Sequence, residues 1–224
     1  MAAWKKMILF GDSLTQYSFQ PQGFGSAIAN ELQRKADVIN RGFSGYNTDN
    51  AVAMLHGVFP TGSLKAEDAI TVCFGANDSV LSGFHQHVPI QRYESNCRKI
   101  INHLTGLGLP SSRILIISPP VVDTEKWLAH LISENKGTEV DRDNENTKKY
   151  AEACSRVASD MSCPFVNLWE SFMQEEEYNK LLNDGLHFSE EGNRLVTKLI
   201  LPHILKMSEE WEMNYAEWQT FYDL

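Results

Sequence analysis

The feature that most constrains this fold is a regular alternation of short apolar runs with longer segments of helical periodicity. The apolar runs are residues 7–10, 38–43, 69–74, 114–118 and 165–168. Helical patterns occupy roughly residues 24–35, 48–57, 90–107, 144–161, 169–182 and 189–206. This alternation is typical of parallel strands joined by crossover helices. The sequence therefore predicts an α/β fold, a three-layer α/β/α flavodoxin-like domain whose five-stranded parallel sheet has the order 2-1-3-4-5.

The length of the chain favours a single domain followed by a short tail. With 224 residues, of which 42% are hydrophobic, the chain can fill one core without disulfides or a structural metal. We assign residues 1–206 to the domain and residues 207–224 to an acidic and aromatic tail. The spacing of Trp211, Tyr215 and Trp218 predicts that these rings share one helical face. That face is expected to dock on the chain's own domain, with a homodimer as the alternative.

Charge and cysteine content limit the partners and the compartment. A net charge of −9 without a basic patch argues against nucleic acid and against stable association with an anionic membrane. The apolar run that starts at Met7 is too short for a signal peptide, so a cytoplasmic location is expected. The four cysteines form no C-x-x-C pair and are predicted to be reduced thiols. They are Cys73, Cys97, Cys154 and Cys163.

Chemistry is first indicated by residues 11–14, the run Gly-Asp-Ser-Leu directly after the first apolar run. A glycine there permits a sharp turn that leaves Ser13 at the start of a helix. A serine hydroxyl becomes a nucleophile only when a base takes its proton, and Asp184 and His187 supply a carboxylate and an imidazole three residues apart. Taken singly, these residues could be a helix cap, a turn residue and a surface histidine. Their joint occurrence favours a serine hydrolase.

Two further motifs follow the second and third apolar runs, at Gly45 and at residues 75–78. Ligands of open parallel sheets bind beyond the carboxyl ends of the strands, so these motifs are expected near Ser13. The backbone N–H groups of Ser13 and Gly45 and the amide of Asn77 can donate to the oxyanion of a tetrahedral intermediate. Alternatively, Gly45 terminates a strand and Asn77 belongs to a turn. Asp78 is assigned a structural role, because a second acid would oppose the oxyanion.

These blocks together resemble the GDSL or SGNH hydrolase family. They occur in the family's order between residue 10 and about residue 195, and residues 40–48 and 184–189 resemble its isoamyl acetate-hydrolysing esterase branch. The resemblance implies the SGNH hydrolase fold, with Ser13 as nucleophile, His187 as base and Asp184 as the carboxylate that orients it. It also implies that Ser13, Gly45 and Asn77 form the oxyanion hole. The Gly-x-Ser-x-Gly elbow of the α/β-hydrolase fold is absent around the serine.

The predicted activity is hydrolysis of small carboxylic esters through an acyl-enzyme, without a metal or an organic cofactor. The branch resemblance implies short acyl groups such as acetate. An acyltransferase, a lysophospholipase or a thioesterase would use the same residues, and a non-catalytic binding domain is the alternative from a different class. His85 and His87 could be part of a metal site, but an ordinary loop is expected because no ligand at a recognisable zinc spacing lies nearby. Residues 121–146, a mostly polar segment, are predicted to be an inserted helix and loop that borders the site or covers it.

Overall fold

A five-stranded parallel sheet forms the centre of the protein, whose computed structural model describes residues 4–222. The strands are β1 (Lys5–Gly11), β2 (Ala36–Gly42), β3 (Ala69–Cys73), β4 (Ile114–Ile117) and β5 (Phe165–Val166). Their order across the sheet is β2-β1-β3-β4-β5, and all neighbouring pairs are parallel. This arrangement confirms the predicted flavodoxin-like α/β fold and its strand order.

Helices cover both faces of the sheet. They are α1 (Ser13–Gln16), α2 (Phe24–Glu31), α3 (Thr48–Val58), α4 (Ile90–Gly106), α5 (Thr124–Ser133), α6 (Asn144–Asp160), α7 (Leu168–Met173) and α8 (Glu190–Met207). Alternate side chains of a strand point to opposite faces. Met7 and Leu9 therefore pack with α2, α5, α7 and α8, whereas Ile8 and Phe10 pack with α3, α4 and α6. The result is a three-layer molecule with one hydrophobic core on each side of the sheet.

The carboxyl ends of the strands are aligned in one row. Gly11 of β1 is in register with Gly42 of β2 and Cys73 of β3, and Cys73 is in register with Ile117 of β4. The chain leaves this row at the same edge of the sheet after every strand, because all the strands are parallel. Residues that follow the strands therefore meet at this edge.

Two predicted helices are shorter than expected. The prediction of a single helix over residues 169–182 is wrong, because α7 ends at Met173 and a separate 3₁₀ turn covers Tyr178–Leu181. Residues 174–177 between them are exposed, so no apolar face continues the helix. Helix α2 ends at Glu31 rather than near residue 35, where Arg34 adopts a φ of 64° that a helix cannot accommodate.

The tail packs on the chain's own domain, although not as predicted. Trp211 is buried at 2% exposure, whereas Tyr215 and Trp218 are 55% and 64% exposed, so the three rings do not share a helical face. The Asn214 side chain donates to the carbonyl oxygen of Arg34 at 3.0 Å, and the Arg34 guanidinium bonds in turn to the tail at Glu217. Residues 1–3 of the predicted domain and residues 223–224 of the predicted tail lie outside the described residues. The homodimer stays a prediction.

The four cysteines are all free and buried. Within residues 4–222, no helix is long and apolar enough to cross a membrane.

Candidate active site

Ser13, His187 and Asp184 are joined by hydrogen bonds at the carboxyl edge of the sheet. Ser13 is the first residue of α1, directly after β1, and its Oγ lies 3.0 Å from Nε2 of His187. Nδ1 of the same ring lies 2.7 Å from Oδ2 of Asp184. A hydroxyl, an imidazole and a carboxylate therefore form a continuous chain, in which the imidazole can take the hydroxyl proton.

The Asp184 carboxylate is arranged to stay ionised. Burial raises its pKa, but hydrogen bonds from the His187 ring and from the backbone N–H groups of His187 and Leu186 outweigh burial and hold the pKa well below its usual value. An ionised carboxylate accepts a hydrogen bond from the Nδ1–H group, and the lone pair of Nε2 is then left facing Ser13. The geometry thus selects the tautomer that can act as a base.

The loop that carries the histidine is braced by α5. Gly185 has a φ of +96°, and a Cβ at this position would lie 2.5 Å from the carbonyl oxygen of Asp123 and still closer to the backbone nitrogen of Trp127. The backbone N–H of Asp123 also donates to the carbonyl oxygen of Gly185 at 2.9 Å. Only glycine accommodates this conformation and this close approach. The start of α5 therefore helps to set the position of the neighbouring Asp184 and His187.

Three potential oxyanion donors lie beyond β1, β2 and β3. Among the described residues, the backbone N–H groups of Ser13 and Gly45 have no hydrogen-bond acceptor. The φ of Gly45 is +81°, and this residue is exposed. Asn77 is 3% exposed, and its Nδ2 donates to the carbonyl oxygen of Tyr46 at 2.9 Å, which leaves one amide hydrogen without an acceptor in residues 4–222. Hydrogen-bond donors without a protein acceptor are what a developing oxyanion requires.

Two buried carboxylates support the loops around these donors. Oδ1 of Asp12 accepts the backbone N–H of Leu14 at 3.0 Å and caps α1. Oδ1 of Asp78, the residue assigned a structural role, accepts the backbone N–H of Thr48 at 2.9 Å and also the Thr48 hydroxyl, and so holds the start of α3. Burial raises the pKa of Asp12 to about 6 and that of Asp78 to about 7, against the lowering effect of these hydrogen bonds.

The segment of residues 121–146 borders the site. Its helix α5 places the Trp127 ring 6.3 Å from the His187 ring between centroids, and Tyr17 lies 5.5 Å from the same imidazole. Nε2 of His130 lies 4.0 Å from Oδ2 of Asp184. Aromatic rings on two sides of the imidazole limit where a substrate can approach it.

Arg142 and Gln86 contact the potential oxyanion donors, and the sequence did not single them out for this position. Arg142 is 3% exposed and donates to Oδ1 of Asn77 at 3.0 Å, to Oε1 of Gln86 at 3.2 Å and to the carbonyl oxygen of Ala76. Nε2 of Gln86 donates to the carbonyl oxygen of Gly45 at 2.7 Å. The one available signal was that Arg142 belongs to the segment predicted to border the site.

Gln86 lies between the two histidines considered above as a metal fragment. Nδ1 of His87 lies 2.6 Å from the carbonyl oxygen of Val80. Residues 4–222 contain no group of three or more His, Cys, Asp or Glu side chains that could hold a metal ion.

A small cavity of about 50 Å³ adjoins His187. It is lined by Leu14, Tyr17, Gln20, Asn183, His187, Phe188 and Asn193. A larger cavity of about 560 Å³ lies near the end of α8, beside Arg113 and Lys206, and none of the residues just described lines it. The smaller space contacts the imidazole whose Nε2 faces Ser13, but Ser13, Gly45 and Asn77 are not among the residues that line it.

Sequence comparison identifies proteins that are similar to this chain. Residues 9–195 match the family model described as the GDSL-like lipase/acylhydrolase family. A GDSL esterase/lipase of Arabidopsis thaliana is 41% identical over 198 residues, which cover 85% of this chain and 81% of that protein. The isoamyl acetate-hydrolyzing esterase 1 homolog of Homo sapiens is 36% identical over 219 residues, which cover 96% of this chain and 88% of that protein.

Comparison with solved structures finds the same fold. The lipase/acylhydrolase from Enterococcus faecalis superposes with a TM-score of 0.70 at 20% identity, over 95% of this chain and all of that one (100%). The acetyl xylan esterase AlAXEase superposes with a TM-score of 0.68 at 18% identity, over 89% and 99% of the two chains.

Proposed function

The chain belongs to the GDSL-like lipase/acylhydrolase family and is a serine esterase, and we propose that it cleaves short-chain acyl esters through an acyl-enzyme on Ser13. Family membership confirms the resemblance of the four motif blocks, and it supports carboxylester hydrolysis in general. The mechanism and the acyl preference are the proposal. The observation that carries it is the pair of contacts made by the His187 ring, 3.0 Å to the Ser13 hydroxyl and 2.7 Å to the Asp184 carboxylate.

In the first half of the reaction, Oγ of Ser13 attacks the ester carbonyl carbon while its proton passes to Nε2 of His187. The carbonyl π electrons move to oxygen, and the oxyanion accepts hydrogen bonds from the N–H groups of Ser13 and Gly45 and from Nδ2 of Asn77. Asp184 stabilises the imidazolium that forms. The C–O bond to the alcohol then breaks, and the imidazolium gives its proton to the leaving oxygen.

In the second half, water releases the acyl group. The water oxygen attacks the acyl carbon as His187 takes one of its protons, and the same donors hold the second oxyanion. Collapse breaks the bond to Oγ of Ser13, which recovers a proton from the imidazolium. The products are an alcohol and a carboxylic acid, and the enzyme returns to its starting state.

Short acyl groups are supported by the names of two related proteins. A human relative is named a homolog of isoamyl acetate-hydrolyzing esterase 1, and a structural neighbour is named an acetyl xylan esterase. We therefore propose acetate-type esters as substrates. Hydrolysis distinguishes this function from acyl transfer, which would use the same residues with another acceptor.

The test is hydrolysis of aryl esters of increasing acyl length by the wild type, Ser13→Ala and Ser112→Ala. Turnover should peak at acetate or butyrate and be lost in Ser13→Ala, while the exposed Ser112 serves as the matched control and should retain it. A peak at long acyl chains would contradict the substrate class. Turnover in Ser13→Ala would contradict the nucleophile. Greater product formation when an added alcohol accepts the acyl group would favour the acyltransferase.

A further inference from the structure

We propose that Arg142 is a positioning residue that holds two oxyanion donors of the esterase site, Asn77 directly and Gly45 through Gln86. The inference rests on the proposed function, because it presumes that these groups donate to the oxyanion. Arg142 reaches them from the loop between α5 and α6, and its side chain is buried at 3% exposure.

The guanidinium determines which way the Asn77 amide faces. A guanidinium can only donate hydrogen bonds, so the oxygen of the amide must face it, as the 3.0 Å contact to Oδ1 has it. The carbonyl oxygen of Tyr46 can only accept, and it contacts Nδ2 at 2.9 Å. A flipped amide would place donor against donor and acceptor against acceptor, and it would turn its oxygen towards the oxyanion. Arg142 therefore keeps the spare N–H of Asn77 available to the substrate.

The same guanidinium also restrains the backbone near two of the proposed donors, Asn77 and Gly45. It donates to the carbonyl oxygen of Ala76, the residue before Asn77, so that the main chain and the side chain of this segment are held together. It also contacts Oε1 of Gln86 at 3.2 Å, and Nε2 of Gln86 donates to the carbonyl oxygen of Gly45 at 2.7 Å. Gly45 is exposed and has a φ of +81°, so it needs an external restraint more than a residue within a helix or strand does.

A contribution to folding stability does not explain why the Arg142 guanidinium is buried. A buried charged group contributes little to stability compared with an apolar group of similar volume, because removing it from water is costly. Arg142 recovers part of that cost from its three acceptors and from the Trp127 ring, whose centroid lies 5.1 Å from its Cζ. Burial lowers the pKa of Arg142, against the raising effect of Asp141 and other nearby carboxylates, but an arginine side chain remains charged in a protein.

The proposal is tested with a double-mutant cycle on aryl acetate hydrolysis, using the wild type, Arg142→Met, Asn77→Ala and the double variant. Arg142→Met removes every donor while keeping an unbranched apolar chain beside Trp127. We expect it to lower kcat about 10- to 100-fold with KM changed by less than about threefold, because the oxyanion exists only after the attack. In the Asn77→Ala background, the same substitution should lower kcat only about three- to tenfold, because the part of its effect that passes through Asn77 is already lost and only the part that passes through Gln86 and Gly45 remains.

Additional variants separate positioning from folding. Arg142→Lys keeps the charge but cannot hold three acceptors, and kcat equal to the wild-type value in this variant would overturn the proposal. Gln86→Leu breaks only the link to Gly45, and it should lower kcat about three- to tenfold both in the wild type and in the Asn77→Ala variant. Arg98→Met, which removes a partly exposed arginine paired with Asp160, is the matched control and should leave kcat unchanged. All rates are measured below the unfolding transition of each variant.

The outcomes distinguish this inference from the proposed function. Turnover of the wild type that does not depend on Ser13 would overturn the proposed function and the inference with it. Turnover that depends on Ser13, together with losses from Arg142→Met and Asn77→Ala that multiply in the double variant, would overturn the inference alone. An unchanged kcat in either Arg142→Met or Gln86→Leu would likewise overturn the corresponding link.

Discussion

Replacing the buried Asn77 by alanine should lower both the stability of the protein and its kcat, and the two losses can be measured separately. The substitution removes a hydrogen bond to the carbonyl oxygen of Tyr46 and one from the charged Arg142. A neutral buried hydrogen bond contributes about 1 kcal/mol and one to a charged group about 2 kcal/mol, so the free energy of unfolding should fall by about 3 kcal/mol. If the spare amide hydrogen serves the oxyanion, kcat should also fall by about 100- to 1000-fold.

The assay measures kcat and KM for an aryl acetate together with a denaturant unfolding curve. KM should change little, since the amide acts on the oxyanion rather than on the resting ester. Asn96→Ala is the matched control, because Asn96 is 2% exposed and its amide also bonds twice, to Thr48 at 3.1 Å and to Asp49 at 2.8 Å. This control should lose comparable stability but keep kcat within about threefold. An unchanged kcat in Asn77→Ala would refute the reasoning, and so would a loss of kcat in Asn96→Ala as large as that in Asn77→Ala.

Two other perturbations follow from the geometry. The folded-state pKa of Asp78 is about 7 against an ordinary value of 3.8, so the folded protein binds the extra proton between these values and loses stability as the pH rises through them. Between pH 5 and pH 8, the free energy of unfolding of Asp78→Asn should therefore fall less than that of the wild type, by up to about 3 kcal/mol. Parallel pH dependences of the two free energies of unfolding would contradict this account. Gly185→Ala forces a Cβ against the backbone of Asp123 and Trp127, so both the melting temperature and kcat should fall. Retention of both would show that α5 does not brace the histidine loop.

Three of the site residues that were anticipated from the sequence share one property. Ser13, Gly45 and Asn77 each follow an apolar run, so the rule that ligands bind beyond the carboxyl ends of parallel strands predicted that they lie together. The structure places all three at that edge, with His187 in contact with Ser13. Local patterns were sufficient here because strand ends converge as a consequence of topology.

Arg142 and Gln86 could not be found in this way. Arg142 lies in a loop whose residues 134–140 are exposed, and nothing in the local pattern distinguishes a buried arginine from a solvated one. Gln86 lies between His85 and His87, and only the two histidines match a residue type that is common in metal sites. The positions of Arg142 and Gln86 depend on long-range contacts with the segments that follow β3 and β2, which sequence periodicity does not encode.

The tail illustrates a second limit. Helical spacing of Trp211, Tyr215 and Trp218 predicted a shared face, but the hydrogen bonds of Asn214 to the carbonyl oxygens of Arg34 and Lys35 hold this segment in a non-helical path. Periodicity reports a helix only where no competing tertiary contact determines the backbone.

The aligned strand ends make the site sensitive to a change of chain length inside a strand. Deleting one residue within β1 or β3 would move the following segment by about 3.3 Å along the strand and turn its side chains to the opposite face. Ser13 or Asn77 would then no longer lie at the carboxyl edge of the sheet beside His187. The exposed loop at residues 134–140 has no such register to preserve. Insertions and deletions compatible with activity are therefore expected in that loop, which makes it the place to introduce a tag or a reporter peptide and the place where homologous enzymes are free to differ in length.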